Sequence, residues 1–335
     1  MNVLVTGGAG YIGSHAVKKL HESGHAVFVV DNLDRGHRAA VPGEVPFEQI
    51  DLRDTDALAD VLGKWDIHCV MHFAALAYVG ESVDEPLRYY DNNTRGAISL
   101  LQAMDQMGVE NLVFSSTCAT YGEPTQMPIT EDLPQQPINP YGWSKLMTER
   151  CLIDYAASNE KFNFTALRYF NVAGSAADGA IGEDHTPESH VIPLLLLTAL
   201  GLRDSFTIFG DDYDTPDGTC VRDYIHVEDL VDAHALVAQS MVDGELFGGN
   251  FFNLGVGQGR SVKEVIDAAK RVTGADIKIN MGKRRAGDPP ELYANADKIK
   301  NAIGWSAKYT DLDAMIETAW RWFQDKPRGY DDQNG

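Results

Sequence analysis

The chain of 335 residues is long enough for one large domain or two fused ones, and 44% hydrophobic with 23% charged residues is ordinary globular composition. Its 49 acidic residues outweigh 28 basic ones, a net charge of −21 that argues against nucleic acid or an anionic membrane as a partner; the surplus reads as solubility or a salty habitat, and an anionic substrate would need a local cluster of arginines. No apolar run reaches the ~18 residues of a membrane span and "MNVLVTGG" carries no cleavable leader, so a cytoplasmic protein is expected.

The first strand, "NVLVT", runs into "GGAGYIG", where Gly7, Gly10 and Gly13 stand in GxxGxxG spacing before a helix. Glycines there let the backbone turn tightly and approach a pyrophosphate at the positive end of the helix. A glycine triplet alone could mark only a tight turn, but this one has the strand and the helix that a dinucleotide fingerprint requires. The second strand, "AVFVVD", ends in Asp31, 18 residues after Gly13, where a carboxylate can hold the adenosine ribose hydroxyls and repel a 2′-phosphate. NAD is therefore expected over NADP, with Arg35 and Arg38 as the two cations that could still reach a phosphate. Asp51, at the end of the third strand, reads equally as a helix N-cap or an adenine contact.

The fourth strand lies in "HCVMHFAA". His68 and His72 would stand about 13 Å apart on a strand, too far for one ion to bridge, and no metal is expected. A helix with Ala97, Leu100, Leu101, Met104 and Met107 on one stripe follows, then the strand "NLVFSS", then a helix beginning near Tyr141 and the strand "FTALRYFN". Strands alternating with helices imply an α/β fold with a doubly wound parallel, Rossmann-type sheet. After about residue 171 come irregular stretches such as "GDDYDTPDGT", and a smaller mixed α/β C-terminal domain is expected. Its helices carry apolar stripes: Val262, Val265, Ile266, Ala269 and Val272, then Leu312, Met315, Ile316, Ala319, Trp320 and Phe323. The final "GYDDQNG" reads as a frayed tail, and the four cysteines, lacking CxxC spacing, as reduced thiols.

"NPYGWSK" places Tyr141 and Lys145 four apart, on one face of a helix. At roughly 6 Å and an effective dielectric of about 20, the ammonium would favour the phenolate by ~3 kcal/mol, or ~2 pH units from the ordinary value near 10. That approaches a usable general base.

Taken with GxxGxxG, the "DNL" at Asp31, "YYDNN" and "FSST", this YxxxK pair resembles the extended short-chain dehydrogenase/reductase superfamily. "LRYFNVAG", "GEDH", "IFGDDYDTPDGTCVRDYIHV" and "RRAGDPP" make the chain similar to its UDP-glucose (UDP-galactose) 4-epimerase family, in unbroken order from Met1 to about Gly329. The resemblance implies tightly bound NAD and a reversible hydride transfer at carbon 4 of a UDP-sugar, through a 4-keto sugar. Tyr141 is then the base, Lys145 holds the nicotinamide ribose, and Thr117 supplies the hydroxyl that a serine supplies in relatives. Cofactor contacts are implied for Gly7, Gly10, Tyr11, Ile12, Gly13, Asp31, Asn32, Asp51, Leu52, Phe73, Ala74, Ala75, Asn93, Ser115, Tyr141, Lys145 and Phe170. Substrate contacts are implied for Thr117, Tyr141, Asn171, His190, Val191, Arg222, Arg285, Asp288 and Leu292.

Three further positions depart from the family: Ser189 and His190 replace paired asparagines, and Ala77 replaces a lysine that follows the fourth strand in some relatives. Two arginines, Arg222 and Arg285, can neutralise a pyrophosphate. Leu292, four residues after Asp288, stands where a tyrosine in relatives excludes N-acetylated sugars. The resemblance also assigns residues 1–171, with a returning segment near 222–250, to NAD and mainly 172–330 to the UDP-sugar. It implies a homodimer packed through the helices near 94–108 and 141–157. Dehydratase chemistry needs an Asp-Glu pair after the threonine, whereas Cys118 and Ala119 follow it here. A 4-epimerase of another UDP-sugar (N-acetylhexosamine, uronate or pentose) keeps the same carbon 4 chemistry, and a non-catalytic NAD sensor could dispense with Tyr141.

Overall fold

The computed structural model describes residues 1–285 and 288–330. Ala286 and Gly287 of the "RRAGDPP" motif, and most of the expected frayed tail, lie outside the described residues.

The expected alternation of strand and helix is present as β1 (Asn2–Thr6), α1 (Tyr11–Glu22), β2 (Ala26–Asp31), β3 (Phe47–Gln49), α2 (Thr55–Lys64) and β4 (Cys69–His72). Two short helices, α3 (Val79–Asp84) and α4 (Pro86–Tyr89), lead through a π-helical turn at Tyr90–Arg95 into α5 (Gly96–Met107). β5 (Asn111–Thr117), α6 (Pro140–Ser158) and β6 (Asn163–Tyr169) complete the first half. Parallel pairing orders β3, β2, β1, β4, β5 and β6 across one sheet. The order turns back at β1, with β2 on one side and β4 on the other, and such a switch point opens a crevice at the strand C-termini.

Alternate residues of these strands enter two cores. Val3, Val5 and Val29 pack on one face, towards the helices covering it, while Leu4 and Val30 pack on the other with Leu58, Leu100 and Leu152. Burial on both faces is why "NVLVT" is almost uniformly apolar.

β7 (Asn171–Ala173) leaves the sheet one residue after β6. The second half then runs α7 (Val191–Ala199), β8 (Phe206–Phe209), β9 (Val221–His226), α8 (Val227–Val242), β10 (Gly249–Leu254), β11 (Gly259–Ser261) and α9 (Val262–Thr273). β12 (Ile279–Gly282), β13 (Glu291–Leu292), α10 (Asp297–Ile303) and α11 (Leu312–Asp325) follow. β10 returns to the large sheet as its seventh strand, beside β6, and α8 packs its Leu230, Ala233 and Val237 into the same core as Val3 and Val5. β9 instead centres a small sheet with β7, β11 and β13. A separate apolar core gathers Leu195, Val265, Ile266, Met315 and Trp322 from α7, α9 and α11. In α11 the stripe read from sequence holds except that Trp322 is fully buried and Trp320 only partly.

α9 begins with a reciprocal cap, Ser261 accepting from Glu264 N while the Glu264 carboxylate accepts from Ser261 N at 2.7 Å. The four cysteines are free.

Candidate functional site

The glycine loop is shaped by what it must avoid. Gly7 has φ +73°, and a Cβ there would lie 2.5 Å from the Ala74 nitrogen; a Cβ on Gly13 would lie 2.0 Å from the Gly7 carbonyl oxygen. Glycine is required at both, and the first turn of α1 is drawn tightly against β1 with neither a side-chain cap nor an acidic residue. That positive helix end is the part of the fold suited to a pyrophosphate. Asp31, buried at the tip of β2, accepts from Ala9 N at 3.0 Å and Leu33 N at 2.8 Å, so it braces the glycine loop while facing its crevice. Burial raises its carboxyl, opposed by those two backbone bonds.

Gly7, Gly10, Asp31, Asn32, Leu52, Phe73, Ala74 and Ala75 share one crevice. Of the two cations that could have reached a phosphate there, Arg35 is held by Glu81 at 2.6 Å and the Thr186 carbonyl at 2.8 Å. Arg38 donates to the Val41 carbonyl and lies over the Phe47 ring.

Three residues expected at the cofactor do other things as well. Asp51 is not the N-cap of α2, which is Asp54 accepting from Ala57 N at 3.1 Å. The Arg53 guanidinium beside Asp51, at 2.6 Å, holds its carboxyl well below the usual range. Asn93 is buried and ties Leu76 to Ser144, accepting from Leu76 N at 2.8 Å and donating to Ser144 Oγ at 3.0 Å, while its neighbour Asn92 lines the crevice. Ser115 presents its carbonyl to Lys145 Nζ at 2.8 Å and its hydroxyl to the Tyr169 phenol at 2.5 Å.

A second cavity of about 260 Å³ continues from the glycine loop. It gathers Tyr11, Ile12, Gly13, Thr117, Tyr141, Lys145, Phe170, Asn171 and His190, and Ala77 lines it where a lysine stands in some relatives. Thr117 is the last residue of β5, and Tyr141 occupies the first turn of α6, whose start is set by Pro140 and by Asn139 accepting from Gly142 N at 2.8 Å. α6 is anchored by a buried pair: Arg168 of β6 donates to Glu149 at 2.9 and 2.7 Å, and Ser116 donates to the same carboxylate at 2.6 Å.

Tyr141 is 8% exposed, Thr117 6% and Lys145 4%. Burial pushes the Tyr141 phenol well up, Tyr169 adds to that, and the hydrogen bond with Thr117 opposes it. Burial pushes Lys145 down to about 7. The expected lowering of the phenol by Lys145 is therefore outweighed here, because the ammonium is turned to the Ser115 carbonyl and desolvation dominates both groups.

The residues expected at the substrate divide between two places. Asn171 and His190 line the cavity that Tyr141 lines, whereas Val191, Arg285 and Asp288 line another with Glu188 and Arg203. Arg222 is paired with Asp288 and donates to the Val221 carbonyl at 2.7 Å; Arg285 lies 4.1 Å over the Phe209 ring. Leu292 is buried among Tyr121, Ile129, Phe170 and Ala294, behind the wall that Phe170 forms. Sequence reasoning passed over Tyr169, Val172, Glu183 and His185, which line the cavity. Glu183 and His185 lay inside the quoted "GEDH", and Tyr169 directly precedes Phe170, so position in a motif was the available signal.

Residues 3–255 match the model of the NAD dependent epimerase/dehydratase family. The chain belongs to that family. It is 52% identical over 333 residues to a UDP-glucose 4-epimerase of Lactobacillus helveticus, covering 99% of this chain and 100% of the relative. It is also 46% identical to UDP-arabinose 4-epimerase 1 of Arabidopsis thaliana, over 98% of this chain and 81% of the relative. A solved UDP-glucose 4-epimerase from Bifidobacterium longum, in complex with NAD+ and UDP, superposes with a TM-score of 0.94 at 38% identity, covering 98% of this chain and 100% of that one.

Proposed function

We propose that the protein is a UDP-glucose 4-epimerase, interconverting UDP-galactose and UDP-glucose through a 4-keto sugar with NAD as a resident cofactor. The observation that carries this reading is one cavity lined by Tyr141, Thr117 and Lys145 together with the glycine loop. The residues fit the cofactor: a glycine-shaped helix terminus for the pyrophosphate, Asp31 for the adenosine ribose and Lys145 for the nicotinamide ribose. Held there, NAD would supply a reversible hydride acceptor for carbon 4 and, in its oxidised form, positive charge that would favour the phenolate.

Tyr141 takes the proton from the sugar 4-hydroxyl and later restores it. Thr117 stands beside that phenol as donor and acceptor, so it can follow the proton in either direction. Asn171 and His190 hold the substrate from the opposite wall, and Arg222 and Arg285 supply the cations for its pyrophosphate. Arg222 must exchange its partner Asp288 for the substrate, which leaves Asp288 free to accept from a ribose or base.

In this reading residues 1–171 with a returning segment bind NAD and mainly 172–330 bind the UDP-sugar, with β10 beside β6 supporting the return. A homodimer in the cytoplasm is part of the same proposal. α5 and α6 expose Ile98, Trp143 and Met147, an apolar face suited to a second copy, and no helix among the described residues is long and apolar enough to cross a membrane. The similarity to the plant UDP-arabinose 4-epimerase favours a second reading in which a UDP-pentose is also accepted.

The purified protein, given UDP-galactose and no added NAD, should form UDP-glucose without NADH appearing in solution. Stoichiometric NADH released during turnover would make it a dehydrogenase instead.

A further inference from the structure

Between β7 and α7 the chain folds four potential ligands into one knot. Glu183 Oε1 lies 2.7 Å from His190 Nδ1 and 3.1 Å from His185 Nδ1. Glu188 reaches His190 Nδ1 with one oxygen at 3.1 Å and His185 Nδ1 with the other at 3.7 Å. One ligand atom from each of the four residues lies within 4.8 Å of every other.

Zinc binds imidazole nitrogen and carboxylate oxygen at about 2.0–2.2 Å, which puts tetrahedral donor atoms about 3.3 Å apart. The spacings in the knot bracket that value, so a metal could enter with small side-chain rotations. Two details mark the cluster as more than a pair of ion pairs. The buried Nδ1 of His185 faces both carboxylates, 3.1 Å from one and 3.7 Å from the other, yet makes no well-aligned hydrogen bond among the described residues. The rings of Tyr11 and Tyr78 stand edge-on to the His185 ring, at centroid distances of 6.2 and 5.9 Å, and limit its rotation. Charge also balances in either state: two carboxylates neutralise two imidazolium ions, or one divalent cation held by two neutral imidazoles.

We infer that Glu183, His185, Glu188 and His190 form a four-coordinate site for a divalent transition-metal cation of the zinc class. It is built into the wall of the sugar-nucleotide cavity, which Glu183, His185 and His190 line. His68 and His72, too far apart on a strand for one ion, take no part in it. Mixed nitrogen and oxygen donors suit zinc or cobalt(II) over calcium or magnesium, which prefer oxygen alone.

The test is equilibrium dialysis of the NAD-loaded full chain against zinc alone, with the bound metal counted, and cobalt(II) spectroscopy of the same protein. One zinc per chain is expected, bound about 100-fold more weakly by each of His185→Ala and Glu188→Gln. Cobalt should give the intense visible bands of a four-coordinate ion, bleached when zinc is added. Zinc binding that both variants retain unchanged, or a pale six-coordinate cobalt spectrum in the unmodified chain, overturns the site. The cobalt result stands even if a variant loses its NAD through misfolding.

Discussion

Replacing Tyr141 with phenylalanine isolates the proton transfer from the scaffold around it. The Tyr141 ring packs against Leu76, Tyr89 and Ala119, contacts that a phenyl ring keeps. The lost phenol leaves Thr117 with one partner fewer, but its hydroxyl still accepts from Ala119 N at 3.2 Å. Removing one hydrogen bond whose partner stays satisfied costs about 1 kcal/mol of stability, too little to unfold the chain. Loss of a general base instead costs 10²- to 10⁴-fold in rate, or about 3–5 kcal/mol of transition-state stabilisation. The variant should therefore turn over UDP-galactose at least about 100-fold more slowly while keeping its NAD content and its affinity for UDP. Burial holds the wild-type phenol high, so proton acceptance depends on positive charge brought by bound cofactor, and wild-type rate should rise with pH. The assay measures UDP-glucose formation, cofactor absorbance after purification and UDP binding by dialysis. Turnover within tenfold of wild type removes Tyr141 from the mechanism; parallel loss of NAD and rate makes its role structural.

Lys145 carries a stability signature. Its ammonium is lowered from 10.5 to about 7 in the folded chain, so between those values the unfolded chain binds the extra proton and stability rises with pH. Relative to Lys145→Met, the cofactor-free wild type should gain about 5 kcal/mol at most across that window, read by denaturant titration at several pH values; a flat difference refutes the buried ammonium. Asp31→Ala removes the proposed ribose acceptor and also frees Ala9 N and Leu33 N, so NAD should be lost on gel filtration and the preference over NADP should narrow. Full NAD occupancy with NADP still excluded would place Asp31 away from the ribose. Leu292→Tyr inserts bulk behind Phe170 and should lower stability by about 1–3 kcal/mol. If stability holds while turnover of UDP-N-acetylglucosamine alone disappears, Leu292 acts as a gate instead.

Local rules made much of this protein readable from the chain alone. GxxGxxG between a strand and a helix, Asp31 closing the next strand, and YxxxK at a helix start each depend on residues near in sequence, where backbone geometry sets which side chains share a face. Apolar strands separated by amphipathic helices likewise led to a parallel sheet. What only tertiary structure decided depends on distant segments meeting. β10 joins β6 with its paired residues 85 positions apart, as Gly249 with Phe164, and Arg168 finds Glu149 on α6. Burial reverses the sign expected for the Tyr141 phenol, because spacing measures a distance to Lys145 while the protonation balance depends on how much water the whole fold excludes. Leu292 and Phe170, far apart in the chain, become one packed layer, and Glu183 with His190 becomes a cluster through the path of an irregular loop. Periodicity carries no record of such a loop, since its conformation is set by what it packs against and not by a repeating backbone angle.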